Sequence, residues 1–454
     1  MPPTSSSSAS RPPPSGTASW GSPSRPRPPW RSSASEPLPP APRPPYNRRM
    51  STVVVVGAGQ AGLAVSHELG QRGIEHTVLE RSRIGQAWRD RWDSFTLVTP
   101  HWSLGLPGSP YEGSDPEGFV PRDDVVGYLE GYAASQAAPV REGVEVTRLA
   151  RTEGRRLRLD TTEGPLEAAA AVVCTGSFRR QHRPEVLAGI PEDRVTRSAD
   201  YRSPDELPDG PVLVVGGGQS GCQIAEELRL AGTDVTLACG RAPWIPRRLD
   251  GVDTVTWLAR TSFYDLPLSA LPAPAARLLS NPLVSGARGG HDLNWRTLSA
   301  LGVQLAGHVA AVDDGVVAFA DDLADSVAFG DARWADLREV LAAQLPARGY
   351  PVPELPVPAP FAAEPVPPIP LGELGAVVLA SGFRPDYSWI EAPACDALGF
   401  PLTDDGESTE VPGLYFCGVH FMRTRASAVL FGVGRDAAVV AGRVAQGLAE
   451  AARL

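Results

Sequence analysis

The stretch that decides the fold is residues 53–62, Val-Val-Val-Val-Gly-Ala-Gly-Gln-Ala-Gly. Its β-branched run predicts a buried strand, and the helical pattern of residues 63–69 follows the last glycine directly. A strand, a glycine turn and a helix in this order form a dinucleotide-binding fingerprint. Gly57 permits a tight turn, Gly59 lets the backbone approach a pyrophosphate, and Gly62 lets the helix pack against the sheet. Phosphate charge would then lie at the N-terminus of the helix.

The segment after this helix extends the prediction. Residues 76–79, His-Thr-Val-Leu, form a second candidate strand that ends at Glu80. A carboxylate at this position can accept hydrogen bonds from both hydroxyl groups of an adenosine ribose. We therefore predict a first nucleotide site formed by Gly57, Gly59, Gln60, Ala61, Gly62, Glu80 and Arg81.

The same pattern recurs near the middle of the chain. Residues 212–215, Val-Leu-Val-Val, run directly into residues 216–221, Gly-Gly-Gly-Gln-Ser-Gly, and a helical pattern follows through Leu230. A further short strand pattern occupies residues 235–237. The repeat predicts a second nucleotide site that uses Gly216, Gly218, Gln219, Ser220 and Gly221.

The two units differ at the position of the acid. When the helix-ending glycines Gly73 and Gly232 are aligned, Cys239 stands where Glu80 stands in the first unit, and Arg241 follows shortly after it. Loss of the carboxylate removes repulsion toward a 2′-phosphate, and a guanidinium can pair with that dianion. We therefore predict that the second site binds NADPH rather than NADH, with Arg241 at the phosphate.

Arg247 and Arg248 leave two interpretations open. They follow Pro246, and they either extend this pocket or stand as exposed arginines on a loop. Arg241 alone is therefore counted as a predicted phosphate contact.

Several shorter segments point to a particular family. Residues 84–89, Ile-Gly-Gln-Ala-Trp-Arg, resemble the GGxW segment that passes the flavin in flavin-containing and Baeyer-Villiger monooxygenases. Residues 174–176, Cys-Thr-Gly, resemble the ATG crossover of these enzymes, and residues 380–386 resemble their ATGFxPD return strand. Residues 413–418 resemble the last strand of their FAD domain. The resemblance extends from Met50 to the C-terminus.

The resemblance implies a fold, two cofactors and a set of site residues. The fold is α/β, with two Rossmann-like, three-layer ββα dinucleotide-binding domains and the NADPH domain inserted into the FAD domain. The implied cofactors are FAD at the first site and NADPH at the second. Beyond the glycine turns, the implied cofactor contacts are Gln86, Trp88, Thr99, Val146, Thr175, Gly176, Ser381, Gly382 and Gly418.

The same resemblance suggests where the domains begin and end. We expect an FAD-binding domain in residues 50–205 and 375–454, with an NADPH-binding domain and substrate-region insertions in residues 206–374. Residues 1–49 are rich in Pro, Ser and Arg, and we expect them to be disordered. A start codon assigned too far upstream, with Met50 as the initiator, is favoured over a basic tail or a transit peptide.

Two departures from the family pattern bear on the chemistry. His101 occupies what is an asparagine near the flavin in related enzymes, and it is our catalytic candidate because it can donate a hydrogen bond. The signature FxGxxxHSxxY has only its second half, residues 198–201, with Arg197 at the histidine position. These departures leave open an NADPH oxidase or reductase that releases peroxide. A non-enzymatic redox sensor that binds both nucleotides is a separate alternative. A disulfide reductase would need a cysteine pair close in sequence, and the five cysteines include none.

The favoured function is monooxygenation. The resemblance implies that NADPH reduces FAD, that the flavin reacts with O2 to give a C4a-peroxyflavin, and that one oxygen atom passes to a soft nitrogen or sulphur atom or to a ketone. The implied partners are O2 and a small-molecule substrate, and a homodimer is left open.

Composition sets broader limits. The chain of 454 residues has a formal net charge of −10 at pH 7, which argues against a large nucleic-acid-binding face. It has no run of about 18 consecutive apolar residues, so we expect no membrane span. Five cysteines, an odd number without zinc-ligand spacing, predict reduced thiols, no metal site and a cytoplasmic location.

Overall fold

The computed structural model describes residues 50–152, 156–279 and 281–453. The predicted disordered extension, residues 1–49, lies outside the described residues. Both predicted strand, turn and helix units are present, and they form the centres of two separate sheets.

The strands and helices follow one another as the alternating patterns predict. The strands are β1 (Met50–Val56), β2 (His76–Glu80), β3 (Val140–Glu142), β4 (Val146–Arg151), β5 (Leu157–Thr161), β6 (Gly164–Val173), β7 (Arg180–Gln181), β8 (Val195–Arg197), β9 (Val212–Val215), β10 (Val235–Ala238), β11 (Arg248–Leu249), β12 (Val252–Asp253), β13 (Gln304–Ala306), β14 (Val309–Asp313), β15 (Val316–Phe319), β16 (Ile369–Pro370), β17 (Ala376–Leu379), β18 (Phe383–Arg384), β19 (Thr403–Asp404), β20 (Glu407–Ser408) and β21 (Leu414–Phe416). The helices are α1 (Gln60–Gln71), α2 (Gln86–Arg89), α3 (Arg122–Ser135), α4 (Gln219–Leu230), α5 (Thr254–Ala259), α6 (Trp295–Leu301), α7 (Leu323–Ala347) and α8 (Leu430–Ala451).

The first sheet is built around β1. Its main path runs β19-β20-β21-β6-β1-β2-β3, and β4 and β5 extend it as an antiparallel pair attached to β6. The five strands β21, β6, β1, β2 and β3 are parallel to one another. The side chains of residues 53–56 are buried, as a continuous β-branched run predicts for a central parallel strand.

The second sheet is built around β9 and has five parallel strands in the order β13-β10-β9-β17-β8. This order matches β3-β2-β1-β6-β21 of the first sheet strand for strand. The two sheets therefore place their glycine turns at equivalent edges.

Two strands near the expected domain limits belong to the second sheet. β8 lies before residue 206 and β17 lies after residue 374, yet both strands belong to the second sheet. β17 pairs in parallel with β9 and is buried along its whole length, so this strand completes the second sheet instead of returning to the first. The chain segments that cross between the sheets, β7 and β18, pair with each other in antiparallel fashion.

Helices cover the sheets and complete the cores. α1 and α8 pack together against the first sheet. In the second core, Trp257, Trp295 and Trp334 are buried, and the inward residues of α7 recur at helical spacing. No helix within the described residues is both long enough and apolar enough to cross a membrane.

Candidate functional site

The first glycine turn joins β1 to α1 at the carboxyl end of the first sheet. Gly57 has φ +103°, and a Cβ atom there would lie 2.9 Å from the carbonyl oxygen of Cys174. A Cβ atom on Gly62 would lie 1.8 Å from the carbonyl oxygen of Gly57, so α1 can approach the turn this closely only with glycine at that position. A Cβ atom on Gly59 would meet no atom of the described chain within 4 Å. The turn is therefore tightly packed at its outer glycines and open at the middle one.

Glu80 stabilises this turn from the end of β2. Its side chain is buried, with the residue 8% exposed. Glu80 Oε2 accepts a hydrogen bond from the backbone N–H of Ala58 at 2.8 Å, and Oε1 accepts one from Ser82 at 3.0 Å. Each carboxylate oxygen can accept a further hydrogen bond. Glu80 thus holds the backbone of the turn while retaining acceptor capacity for a ligand.

Three predicted flavin segments meet at the first turn. Trp88 Nε1 donates a hydrogen bond to Gln60 Oε1 at 3.1 Å. A Cβ atom on Gly418 would lie 2.4 Å from the Cβ of Ala61, so the segment after β21 contacts the start of α1. Thr175 follows β6 closely, and its Oγ1 atom is buried with no hydrogen-bond partner in the described chain.

Other predicted contacts have partners within the protein. Gln86 donates from Nε2 to Asp90 Oδ1 at 2.7 Å, along α2. Thr99 Oγ1 accepts a hydrogen bond from Ser103 Oγ at 2.6 Å. Arg81 is exposed beyond the end of β2. The positions of these residues allow contact with a cofactor, and such contacts stay predictions.

Two further predicted residues lie on the backbone around this turn. Val146 begins β4, while the backbone N–H that reaches the carbonyl of Glu80 belongs to Val144, at 2.9 Å. The carbonyl of Gly176 accepts a hydrogen bond from the hydroxyl of Tyr387 at 3.1 Å.

His101, the catalytic candidate, lies in the 3-10 helix His101–Ser103. Its Nδ1 atom is 2.6 Å from the carbonyl oxygen of Asp115, so Nδ1 carries a proton and donates it to this bond. The imidazole stacks on Tyr111 with ring centroids 5.3 Å apart, and the side chain is 18% exposed. In the neutral ring, Nε2 is therefore the acceptor.

The second glycine turn joins β9 to α4 with the same geometry. Gly216 has φ +117°, and a Cβ atom on Gly221 would lie 1.8 Å from the carbonyl oxygen of Gly216. A Cβ atom on Gly216 would lie 2.4 Å from the carbonyl oxygen of Ala380 and 2.9 Å from the backbone nitrogen of Ser381. Ser381, and Gly382 after it, therefore lie at the second turn and not in the first sheet, where the return strand was expected.

The side chain of Gln219, at the start of α4, is hydrogen-bonded to the backbone of a distant segment. Gln219 Nε2 donates to the carbonyl of Val284 at 2.7 Å, and Gln219 Oε1 accepts from the N–H of Val284 at 3.3 Å. Gly218 is the N-cap residue of α4, and Ser220 is the second residue of that helix.

The end of β10 differs from the end of β2. Cys239 is buried there, and the exposed Arg241 places its guanidinium carbon 5.9 Å from the ring centroid of Phe329. Arg247 resolves differently from both interpretations considered: it is 2% exposed and forms an ion pair with Asp253 at 2.5 Å. Its charge is therefore already balanced within the protein.

Arg248 fits the interpretation of an exposed arginine more closely. Its guanidinium donates hydrogen bonds to the carbonyls of Gly290 at 3.1 Å and Gly289 at 3.0 Å.

Two residues near the second turn were missed. Trp295 Nε1 is buried without a hydrogen-bond partner in the described chain, and a Cβ atom on Gly217 would lie 3.0 Å from it. His308 Nε2 would lie 3.3 Å from a Cβ atom on Gly240, while its Nδ1 pairs with Asp322 at 2.5 Å. Both come from segments distant in sequence that match no motif, so the sequence carries no signal for them.

The thiols do not form a redox pair. All five cysteines are free, and burial raises the pKa of the Cys395 thiol to about 11. No group of three or more His, Cys, Asp or Glu side chains in the described part of the chain could hold a metal ion.

Comparison with known proteins shows similarity to oxidoreductases and monooxygenases. The pyridine nucleotide-disulphide oxidoreductase family matches residues 54–261. A CzcO-like oxidoreductase of Geobacillus kaustophilus is 29% identical over 390 residues, which cover 85% of this chain and 95% of that protein. Indole-3-pyruvate monooxygenase YUCCA1 of Oryza sativa is 32% identical over 212 residues, which cover 44% of this chain and 51% of that protein.

A solved structure extends the similarity to the fold. The flavin-containing monooxygenase from Stenotrophomonas maltophilia matches with a TM-score of 0.61 and 22% sequence identity, covering 88% of this chain and 99% of that one. The fold prediction is confirmed, since two-domain flavin monooxygenases share this α/β architecture. The predicted resemblance is also confirmed, and the relatives show that the chain is an enzyme of the oxidoreductase type.

Proposed function

We propose that the protein is an FAD-dependent, NADPH-using monooxygenase that transfers one oxygen atom from O2 to a soft nitrogen or sulphur atom, or to a ketone, of a small organic substrate. The observation that carries the proposal is the pair of glycine turns, at equivalent edges of two parallel sheets with the same strand order. Two dinucleotides held at such turns bring a hydride donor and a flavin into one protein.

The first turn suits FAD. The open side of Gly59 leaves room for a pyrophosphate, and α1 has no acidic residue in its first turn to repel it. Thr175 Oγ1, buried and unpartnered among the described residues, is an atom that a bound cofactor would satisfy. Glu80 would hold the adenosine ribose, and Trp88 would form an aromatic wall beside the flavin.

The second turn suits NADPH. α4 has no acidic residue in its first turn, and Cys239 introduces no carboxylate at the end of β10. Arg241 would pair with the 2′-phosphate, and Trp295 Nε1 offers a buried donor beside the turn. The membership of the sheets supports an NADPH domain that extends from β8 through β17 and is inserted into an FAD domain.

The cofactors supply the redox chemistry, because bound FAD accepts hydride from NADPH and reacts with O2 when reduced. The contributions of the chain are binding, orientation and control of protons. His101 keeps its proton at Nδ1 through the carbonyl of Asp115, and Nε2 is the atom that it offers to ligands. Its assignment as the catalytic residue is part of the proposal.

The test is stopped-flow absorbance of the purified protein. The flavin is reduced anaerobically with NADPH and then mixed with O2, and the return of the oxidised spectrum is followed. A transient species before that return, followed by oxygenated product from an amine, sulfide or ketone, is the expected result. This species is the predicted C4a-peroxyflavin.

Two outcomes would contradict the proposal. Direct return to oxidised flavin with equal release of hydrogen peroxide would identify an NADPH oxidase. Failure of NADPH to reduce the flavin would remove the assignment of the second site.

A further inference from the structure

Arg425 is a half-buried cation that has no carboxylate partner among the described residues. It begins the 3-10 helix Arg425–Ala428, and its Nε atom is buried with no hydrogen-bond partner among the described residues. Its guanidinium carbon lies 4.2 Å from the ring centroid of Phe263 and 4.9 Å from that of Phe421. None of the ion pairs found in the described chain includes Arg425, and burial lowers the pKa of its guanidinium.

Neighbouring arginines show what is missing. Arg423, two residues earlier, donates hydrogen bonds to Asp405 at 2.8 Å and to Asp436 at 3.1 Å. Burying a charge without such a partner is costly. The positive charge of Arg425 is therefore not neutralised by any carboxylate of the described residues.

A second arginine adds to the positive charge. Arg277 donates from Nη2 to the carbonyl of Phe421 at 3.3 Å, and its Nη1 is 3.6 Å from Asp396 Oδ2. His420 is 6% exposed, and burial together with the charges of Arg425 and Arg277 lowers its pKa to about 4. His420 is therefore neutral at pH 7. Because Asp396 balances one of the two arginines, one positive charge is left over.

An aromatic wall adjoins this charge. The rings of Phe263 and Tyr264 have centroids 5.0 Å apart, and those of Tyr264 and Phe431 are 4.8 Å apart. Trp102 continues the wall with its ring centroid 5.1 Å from that of Phe431. Trp102 directly follows the catalytic candidate His101 in the sequence.

The same region adjoins the first glycine turn. The carbonyl of Ala428, at the end of the helix that Arg425 begins, accepts a hydrogen bond from Gln60 Nε2 at 3.3 Å. The backbone N–H of His420 donates to Ser177 Oγ at 2.9 Å. Gln60 is the first residue of α1, and Ser177 follows the crossover residues Thr175 and Gly176. The unpaired charge is thus adjacent to the proposed flavin site.

We infer that Arg425, with Arg277 beside it, binds the carboxylate of an aromatic substrate whose ring lies against the wall formed by Trp102, Phe263, Tyr264 and Phe431. A guanidinium matches a carboxylate through two parallel hydrogen bonds, and aromatic side chains pack against an aromatic ring. The inference rests on the proposed function, since it names the substrate class of that site.

The experiment measures binding without turnover. The flavin-loaded protein is titrated with benzoate and with its neutral analogue benzamide, and the change in the visible flavin spectrum gives both dissociation constants. Benzoate should bind about tenfold or more tightly than benzamide, since one charge-assisted contact is worth about that factor.

Variants test the residue itself. Arg425→Gln should weaken benzoate binding by about 10- to 100-fold and leave benzamide binding nearly unchanged. Arg425→Lys keeps the charge but loses the second hydrogen bond. Its affinity for benzoate should therefore lie between that of the wild type and that of Arg425→Gln. Arg435→Gln is the matched control, because Arg435 is exposed and paired with Asp265. It should bind benzoate as the wild type does.

Three results would overturn the inference. Equal dissociation constants for benzoate and benzamide would show that the site does not recognise the negative charge. An equal loss of benzoate affinity in Arg425→Gln and Arg435→Gln would show that Arg425 does not bind the carboxylate. Release of flavin from Arg425→Gln, with benzoate giving no competition, would assign the arginine to the cofactor. If Arg425→Gln does not fold, the comparison of Arg425→Lys with wild type decides.

Failure of the proposed function gives a different result. NADPH reduction with no oxygenated product, combined with benzoate binding that depends on Arg425, would remove the monooxygenase proposal and leave the carboxylate site in place.

Discussion

At the first glycine turn the adjacent strand ends in the carboxylate of Glu80, whereas at the second turn the equivalent position holds the thiol of Cys239. The backbones hardly differ: Gly59 has φ −83° and ψ −172°, and Gly218 has φ −82° and ψ −174°. One fold element is therefore used twice with the same shape. In the proposed function, the side chains at the ends of neighbouring strands decide which nucleotide each turn accepts.

The largest effect should come from filling the tight side of a turn. Gly62→Ala and Gly221→Ala each place a Cβ atom 1.8 Å from a backbone carbonyl oxygen, so each should destabilise the protein by about 3 kcal/mol. Urea unfolding and flavin content measure the outcome, and Gly62→Ala should also lose FAD.

Gly59→Ala is the matched control. Its added methyl group meets no atom of the described chain within 4 Å, so the unfolding free energy should change by less than about 1 kcal/mol while the flavin is lost. Retention of FAD in Gly59→Ala would refute the pyrophosphate assignment.

The next effect concerns the outer strand of each sheet. His420 follows β21 in the first sheet, and Ser198 follows β8 at the equivalent edge of the second, so only the first of these two edges carries an imidazole. The pKa of His420 is lowered to about 4, which means that the unfolded chain binds a proton there more readily than the native protein. The contribution is fully present above about pH 6.5 and is lost as the pH falls toward 4, by about 3 kcal/mol.

Urea unfolding between pH 7.5 and pH 4 measures this loss. His420→Gln should flatten the corresponding part of the pH profile. An unchanged profile in His420→Gln would mean that other groups cause the acid sensitivity.

A smaller effect is expected at the strand ends themselves. Glu80→Ala removes the acceptor for the N–H groups of Ala58 and Ser82 and should cost about 2 kcal/mol as well as flavin affinity. Cys239→Ala, at the matching position, should cost about 1 kcal/mol because it removes only a buried sulphur atom. Thermal and urea unfolding measure the stability of both variants. An equal loss of unfolding free energy in Glu80→Ala and Cys239→Ala would mean that the carboxylate has no special structural role.

The smallest effect should appear in nucleotide choice. Arg241→Ala should raise the KM for NADPH about tenfold and leave the KM for NADH within about twofold, because NADPH alone carries the 2′-phosphate. Steady-state flavin reduction measures both constants, with Arg248→Ala as the control for loss of an exposed arginine. A parallel rise for both nucleotides would place Arg241 outside the phosphate site.

The sequence predicted local units well and their assembly less well. β1 and β9 are continuous buried strands, each followed directly by a glycine turn and a helix. Such contiguous patterns can be recognised from the sequence alone. β8 has three residues, and its place beside β17 depends on a strand far along the chain. A short parallel strand has no pattern of its own that identifies its partner, so the place of β8 in the second sheet could not be predicted from the sequence.

The contacts of single polar side chains were harder still. The pairing of His308 with Asp322 joins segments that match no motif, and Trp295, which approaches Gly217 of the second glycine turn, also comes from a segment that matches none. Arg425 was not singled out, because an arginine in a sequence is expected to be exposed and paired. That no carboxylate in the described part of the chain pairs with it is visible only when its surroundings are known.

The sequence by itself determined that this chain has two strand, glycine-turn and helix units, since glycine at Gly62 and Gly221 meets a steric requirement set by a carbonyl oxygen of the same turn. It also determined the different strand ends, Glu80 and Cys239, because these follow the turns at a fixed spacing. The tertiary structure decided which strands complete each sheet and which charges remain unpaired. Those properties depend on contacts between segments far apart in the sequence, for which burial and distance, and not local pattern, are the physical determinants.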